Sequence, residues 1–560
     1  MLKFLPRLGP LLPILLLCAC QQAPAATSDY AQLVTLAEQW RRFAAPPISD
    51  CLPDYSPATL SAKALLLAKF RARLAAIDSS AWSADQKVDR RLIEAEMNGL
   101  DFDLRVLRPW ARDPSFYATL WGEQSDVPAH EGPGAAPVID LFKYDYPLAT
   151  ADQKELTCLI GAVPALLAAA KTDLKDGNAR DLWLYGGRAF KQQSALLAAL
   201  AAGTLDMRTL DGTKRATLEG ADPALLQAVE KARQATDAFA AWVAAEAPGK
   251  TGSSGVGKEN YSWYQKNVHL VPYDWQTQVT LLERELERSH AALALEEFHN
   301  RALPPLTPAD SWSAFKTLAA AKSKRIADFL IESGIAADRT IYRDALAAQQ
   351  LDGYALPGQR NFFAETLARE PLGLYSHEYH WVELARLKNE PLPDAIRRTI
   401  PLSNIFDTRS EGLATAMEEI LMQAGLYDDA PRGREIVLTM LANRAARGLA
   451  SLYVQANQID LKQAGQFHAR WTPRGWSDPA SDLVGFEQLL YLRQPGYGTS
   501  YITGKLQFDR LIADAAQQAE SRGAPFELAA FFARFNQCGI MPFALIEQEM
   551  LAPPPRLGEE

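Results

Sequence analysis

The chain has 560 residues and a formal net charge of −9, with 58 basic residues against 67 acidic ones. Neither sign forms a long run, so no basic surface for nucleic acid is expected. With 48% hydrophobic and 22% charged residues, the composition is that of an ordinary globular protein with a large core. Length alone would suggest three or four domains, although large helical folds also form single bodies.

The amino terminus is predicted to be an export signal. Lys3 and Arg7 precede an apolar stretch, Leu11 to Leu17, that is too short to remain in a bilayer as a spanning helix. The motif Leu17-Cys18-Ala19-Cys20 resembles a bacterial lipobox, which implies Cys20 as the lipid-modified first residue of the mature chain. The alternative is an ordinary signal peptide cleaved near Ala25.

The predicted location is the cell envelope, with the body held to the membrane only through the lipid on Cys20. Gln21 follows this cysteine, as expected of a lipoprotein sent to the outer membrane, with its body facing the periplasm. No later apolar run is predicted to be long enough to span a membrane.

Three cysteines remain in the predicted mature body: Cys51, Cys158 and Cys538. An odd number in an oxidising compartment leaves one thiol over. Cys51 and Cys158 are a possible disulfide, which the sequence cannot establish. The chain contains no Cys-x-x-Cys, which disfavours thiolate metal clusters.

The periodicity of apolar residues predicts an all-α protein with almost no sheet. The sequence Ser56-Pro57 is a typical capped helix start. A stretch rich in proline and glycine, Asp126–Pro137, interrupts the helices, and a second, Pro248–Gly257, is the clearest break in the chain. The predicted helices cover Asp29–Ala45, Ser56–Ile77, Trp82–Leu107, Thr150–Lys175, Ala179–Ala202, Asp222–Ala247, Trp275–Asn300, Pro308–Ser333, Asp338–Gln350, Arg409–Gln423, Arg432–Gln458 and Phe526–Cys538.

These breaks define the predicted organisation of the chain. The segments are a signal peptide (1–19), a tether (20–28), an amino-terminal helical half (29–247), a linker (248–257), a carboxy-terminal helical half carrying the site (258–551) and a tail (552–560). The two halves are expected to lie on either side of a deep groove.

The stretch from Leu374 to Trp381 carries the strongest chemical signal. His377 and His380 are three residues apart and would be neighbours on one helix face, able to hold one metal ion, with Glu411 as a third ligand from a facing helix. The spacing departs from His-Glu-x-x-His, because Trp381 stands where the second histidine would be. His290 and His299 are predicted to be surface or hydrogen-bonded residues.

The carboxy-terminal half resembles an uncharacterised, mostly bacterial helical family, domain of unknown function 885, whose fold is similar to that of helical gluzincin metallopeptidases. The resemblance rests on five blocks in order: Gly257–Tyr261, His377-Glu378, Glu411–Glu418, Gln494–Lys505 and Phe526–Pro542.

The resemblance implies a zinc-dependent, peptidase-like site. His377, His380 and Glu411 would hold the metal, Glu378 would activate water as general base, and Tyr501 or Tyr497 would donate a hydrogen bond to the developing oxyanion. The predicted substrate is a peptide or a peptide-like molecule. The residues expected to contact it are Tyr261, Arg444, Arg447, Gln455 and Tyr497.

Three alternatives remain open at this point. The family has an Asp and a His where this chain has Ser451 and Gln455, and a His where it has Phe532. A non-catalytic binding or scaffold lipoprotein that keeps the groove is therefore the second hypothesis, in which Trp381 or a salt bridge fills the metal position. The histidines could also be packed core residues, and the polar residues of 432–458 a solvent-exposed face. A metal-free serine hydrolase is disfavoured, because no Gly-x-Ser-x-Gly motif is present.

Overall fold

The computed structural model describes residues 29–351 and 353–551. The predicted signal peptide, the tether with Cys20 and the tail all lie outside these residues. In the described part the chain is almost entirely helical, which confirms the predicted all-α class.

Between residues 29 and 247, seven α-helices precede the predicted linker. They are α1 (Asp29–Ala44), α2 (Pro57–Ala76), α3 (Ala84–Phe102), α4 (Pro109–Arg112), α5 (Thr150–Asp173), α6 (Arg180–Ala202) and α7 (Pro223–Glu246). The predicted cap is confirmed, because the Ser56 side chain accepts a hydrogen bond from the Thr59 amide with Pro57 at the first helical position.

The remaining helices follow the linker. They are α8 (Lys258–Asn267), α9 (Trp275–His299), α10 (Trp312–Glu332), α11 (Thr340–Gln349), α12 (Phe362–Arg369), α13 (Leu372–His377), α14 (Tyr379–Asn389), α15 (Asp407–Gln423), α16 (Gly433–Gln455), α17 (Leu461–Trp471), α18 (Asp482–Arg493), α19 (Tyr497–Ser521), α20 (Leu528–Cys538) and α21 (Phe543–Met550).

The strands of the described residues form three two-stranded pairs. Strands β1 (Ile48–Ser49) and β2 (Leu52–Pro53) are antiparallel, as are β5 (Leu205–Thr209) and β6 (Gly212–Ala216), whereas β3 (Leu120–Trp121) and β4 (Ile139–Asp140) are parallel. The parallel pair holds the two ends of segment 122–138 side by side, and this segment reaches the candidate site.

Two large hydrophobic cores organise the helices, and they do not divide at the predicted linker. One core joins α1 to α3 with most of the helices that follow the linker, and the other contains α5, α6 and α7. The linker itself is held in place, because the amide of Gly255 donates to Asn457 Oδ1 (2.9 Å) and that of Gly257 to the Gln455 carbonyl (2.8 Å).

Helices α15 and α19 touch backbone to backbone at Gly412 and Gly504. A Cβ atom on Gly504 would lie 2.1 Å from the Thr408 carbonyl oxygen and 2.7 Å from Gly412 Cα, closer than real atoms approach. Only glycine at this crossing lets the two helices come so close, and their contact places Glu411 of α15 beside Tyr497 and Tyr501 of α19.

A disulfide joins Cys51 to Cys158, which answers the question that the sequence left open, and Cys538 remains a buried free thiol. The bond fastens the β1–β2 hairpin to α5 and closes a loop of 107 residues.

Removing this disulfide should destabilise the protein. Because the crosslink restricts the unfolded chain, Cys51→Ser with Cys158→Ser should lower the free energy of unfolding by about 2–4 kcal/mol. Denaturant unfolding measures this, and wild-type protein in excess reductant should match the double variant. An unchanged midpoint in both would contradict the prediction.

Candidate metal centre

The two histidines lie at a junction between helices. Helix α13 ends at His377, α14 begins at Tyr379, and Glu378 between them has φ −61° and ψ 3°. The imidazole rings are nearly perpendicular (86°), with their centroids 5.0 Å apart. The expectation that both histidines lie on one face of a single helix is therefore wrong.

Trp381 does not occupy the position between the ligand atoms. Its side chain is fully buried in the large core, with the guanidinium of Arg208 5.3 Å from its ring centroid. Because the chain turns at Glu378, the indole lies apart from the histidine nitrogens. Of the two occupants expected under the scaffold hypothesis, only a salt bridge remains.

Glu411 brings a carboxylate to both histidines. Its Oε2 lies 3.5 Å from His377 Nε2 and 3.5 Å from His380 Nε2, and one ligand atom from each of the three residues falls within a 4.8 Å span. A tetrahedral zinc ion with bonds of about 2.0–2.2 Å holds its ligand atoms roughly 3.3–3.6 Å apart. The two distances from Glu411 match this spacing.

Two of these atoms are buried without a hydrogen bond. His380 and Glu411 are each 3% exposed, and neither His380 Nε2 nor Glu411 Oε2 has a hydrogen-bond partner among the described residues. Buried polar atoms normally have a partner. Two imidazole nitrogens and a carboxylate oxygen are also a donor set that zinc accepts, so these residues fit the metal.

The charges of this centre depend on each other. Burial opposes protonation of His380, but the adjacent Glu411 carboxylate outweighs it and raises the pKa of His380 to about 9. Burial likewise disfavours the Glu411 anion, yet the two histidines hold the pKa of Glu411 well below its ordinary value. Without a metal the centre is therefore an imidazolium–carboxylate pair.

Behind His377, a second carboxylate can fix the orientation of its ring. Glu418 Oε1 lies 3.0 Å from His377 Nδ1 and 2.6 Å from Arg444 Nη2, while Arg444 Nη2 also lies 3.2 Å from the same nitrogen. The angles favour the Arg444 hydrogen bond to Nδ1 in this structure. For Nε2 to bind metal, Nδ1 must carry the proton, and Glu418 is the acceptor within reach.

Tyr497 links the centre to segment 122–138. Its hydroxyl lies within hydrogen-bonding distance of both Glu411 Oε1 and Glu131 Oε1, and it can donate to only one of them at a time. Burial of the carboxyl group and the charge of Asp126 raise the pKa of Glu131 to about 7. The Tyr497 hydroxyl, expected to contact substrate, therefore also contacts the carboxylates of Glu131 and Glu411.

Glu131 and Asp126 are residues of the site that sequence reasoning missed. They lie within the stretch read only as a break between helices, and nothing local marks them. Contacts with residues distant in the chain hold their segment at the site. Gln494 Oε1 accepts from the Gly132 amide (2.6 Å), and Arg493 Nη2 donates to the Pro133 carbonyl (2.7 Å).

Tyr501, predicted to donate a hydrogen bond to the oxyanion, lies beside His377. Its ring is nearly parallel to that of His377 (16°), with centroids 6.1 Å apart, and the Arg447 guanidinium lies 4.2 Å from its centroid. Burial raises the pKa of Tyr501 well above its ordinary value, so the hydroxyl keeps its proton.

Four residues expected to contact the substrate are buried and have partners inside the fold. Arg444 pairs with Glu418, and Arg447 pairs with Glu487 inside the fold. Gln455 donates to the carbonyls of Tyr491 (2.8 Å) and Leu492 (3.0 Å), and the Tyr261 hydroxyl bonds to Gln278 (2.9 Å). The solvent-exposed face expected for this helix is wrong, because opposite charges on neighbouring helices satisfy its polar residues.

The fold and this centre define a class: a helical protein with a buried two-histidine, one-carboxylate centre at a helix junction. Residues 38–328 and 374–550 match the model of a family described as "Bacterial protein of unknown function (DUF885)", so the chain belongs to this family.

Two solved structures share the fold. One is "a putative lipoprotein of unknown function from Shewanella oneidensis" (TM-score 0.63, 13% identity, covering 94% of this chain and 100% of that one). The other is "the putative lipoprotein from Colwellia psychrerythraea" (TM-score 0.63, 16% identity, 93% and 98% coverage). No curated protein matches this chain.

One described helix, α5, is long and apolar enough to cross a membrane by length and composition, and α20 with α21 would qualify only as a bent pair. By these criteria, the prediction that no later segment is long and apolar enough to span a membrane is wrong. Core helices of globular proteins meet the same criteria, and α5 packs against α7 and carries Cys158 of the disulfide.

Proposed function

We propose that this protein is a zinc-dependent, peptidase-like hydrolase of peptides or peptide-like amides, anchored by lipid in the bacterial cell envelope. The observation that carries the proposal is the convergence of His377, His380 and Glu411 at ligand spacing, with two buried atoms lacking hydrogen bonds. The resemblance to gluzincin peptidases supplies the reaction class.

Under this proposal each residue near the centre has a role. His377 Nε2, His380 Nε2 and Glu411 Oε2 would hold zinc, which when bound would acidify a water molecule and polarise a carbonyl group. Glu378, next to His377 in the chain, would accept the proton of the attacking water. Tyr501, kept protonated by burial, would donate a hydrogen bond to the carbonyl oxygen as negative charge develops on it.

The proposed location rests on the amino-terminal sequence and on the disulfide bond. Cys20 follows a lipobox-like sequence. A disulfide persists in the periplasm or outside the cell and is rare in the cytosol, so the Cys51–Cys158 bond supports export. The two structural neighbours, each described as a "putative lipoprotein", support the lipid anchor.

A non-catalytic binding lipoprotein is the second candidate, and one observation favours it. The imidazolium of His380 and the Glu411 carboxylate form a buried ion pair that balances its own charge without a metal. In that case the groove would bind a peptide-like ligand and cut nothing.

Metal content separates the two candidates. The mature body from Thr27 onward should contain about one zinc per chain by elemental mass spectrometry. The His377→Ala/His380→Ala double variant should lose it, whereas His299→Ala, an exposed histidine on α9, should keep it. Zinc-dependent cleavage of a peptide library should follow the same pattern. A protein that takes up no zinc even after incubation with it would contradict the hydrolase and leave the binding function.

A further inference from the structure

A cavity of about 760 Å³ opens beside the candidate metal centre, between the two halves of the chain. Segment 122–138 and α6 form one wall, and α18 forms the other. Glu131 belongs to both places: it lines the cavity, and its carboxylate shares the Tyr497 hydroxyl with Glu411. The cavity is therefore connected to Glu411 through Glu131 and Tyr497, although His377, His380 and Glu411 do not line it themselves.

The charges of the cavity lining are separated. Asp126 and Glu131 lie at the end near the centre, and the Asp126 carboxylate receives no hydrogen bond or ion pair from any described residue. The lining also has three arginines: Arg493 pairs with Asp113 (2.6 Å), Arg188 pairs with Asp482 (3.2 Å), and the Arg208 guanidinium lies 5.3 Å from the ring centroid of Trp381.

The rest of the lining suits an aliphatic or aromatic group. Leu196 of α6 faces Leu489 and Leu490 of α18, with Phe486 at the rim, 42% exposed. A ligand that fits both regions has a cationic end next to an apolar side chain.

We propose that this cavity is a subsite for the positively charged amino group of the substrate, with Asp126 and Glu131 binding the ammonium and the leucine-lined wall binding the adjacent side chain. This inference deepens the proposed function: the substrate enters with its free amino end in the cavity and its first amide bond toward His377, His380 and Glu411. A substrate held in this way would be cut after its amino-terminal residue.

Binding of small probes tests the subsite without any hydrolysis. Leucinamide carries a cationic amine, an apolar side chain and an amide, and N-acetyl-leucinamide differs only in lacking the charge. By calorimetry with the full mature protein, leucinamide should bind about 10-fold or more tightly than its acetylated form, as a charged hydrogen bond would give.

Two variants tie this preference to the named carboxylates. Glu131→Gln and Asp126→Asn should each weaken leucinamide binding by about 10-fold, and Asp126→Asn should leave N-acetyl-leucinamide binding and zinc content unchanged. Equal binding of the two probes, or no binding of either, would overturn the subsite. If the anion N-acetyl-leucine bound more tightly than leucinamide, the cationic subsite would also be overturned, and the arginines of the lining would be the binding residues instead.

The outcome is distinguishable from failure of the proposed function. A protein without zinc that still prefers leucinamide would have the subsite and lack the chemistry. A zinc-loaded peptidase that cleaves N-acetylated peptides as fast as free ones would have the chemistry and lack the subsite.

Discussion

Gly504→Ala should destabilise the protein by about 3–5 kcal/mol and abolish zinc binding together. The new methyl group would lie 2.1 Å from the Thr408 carbonyl oxygen, and backbone atoms cannot rotate away as a side chain end can. Helices α15 and α19 must therefore move apart. Because Glu411 is adjacent to Gly412 at this contact, its carboxylate would leave the two histidines.

Thermal unfolding and zinc content of the same preparation measure both effects. Gly187→Ala in α6 is the matched control, because no atom lies within 4 Å of its added Cβ. An alanine there should be neutral or stabilising by up to about 1 kcal/mol. If Gly504→Ala kept its melting temperature and zinc, the backbone contact between these helices would not hold the site together.

Replacing Glu418 should weaken zinc binding by about 10- to 100-fold, the usual effect of removing a residue that orients a metal-bound histidine. Glu418→Leu removes the carboxylate that lies 3.0 Å from His377 Nδ1. It also leaves Arg444, 1% exposed, as a buried charge without its partner, at a cost of about 3–5 kcal/mol in stability.

A double variant separates the two effects. In Glu418→Leu/Arg444→Met the whole buried pair becomes apolar, so stability should return to near the wild-type value. Zinc affinity should stay low, because His377 still lacks its acceptor. Competition with a chelator measures affinity, and denaturant unfolding measures stability. Recovery of both in the double variant would mean that Glu418 acts only through folding.

Much of the local structure is predictable from the sequence, because its causes are local. The helix start at Ser56-Pro57 depends on a cap and a proline that are adjacent in the chain, and the structure begins α2 there. The central histidines and Glu411 were also found from spacing and resemblance, and the structure brings their ligand atoms within 4.8 Å.

What the sequence could not predict depends on distant partners. Glu131 is nearly 250 residues from His380 in the chain, and only tertiary contacts bring it to the site. Arg444 and Arg447 are expected from the sequence to contact substrate or, alternatively, to form an exposed polar face, because an amphipathic pattern normally implies solvent on its polar side. That rule fails when neighbouring helices supply Glu418 and Glu487, since paired charges can be buried.

The break between α13 and α14 has a consequence for the rigidity of the candidate centre. His377 ends α13, whereas His380 lies in the first turn of α14. A movement of one helix relative to the other would therefore change the distance between the two imidazoles. A metal ion held by both histidines would fix the two helices relative to each other, and its removal should release that constraint.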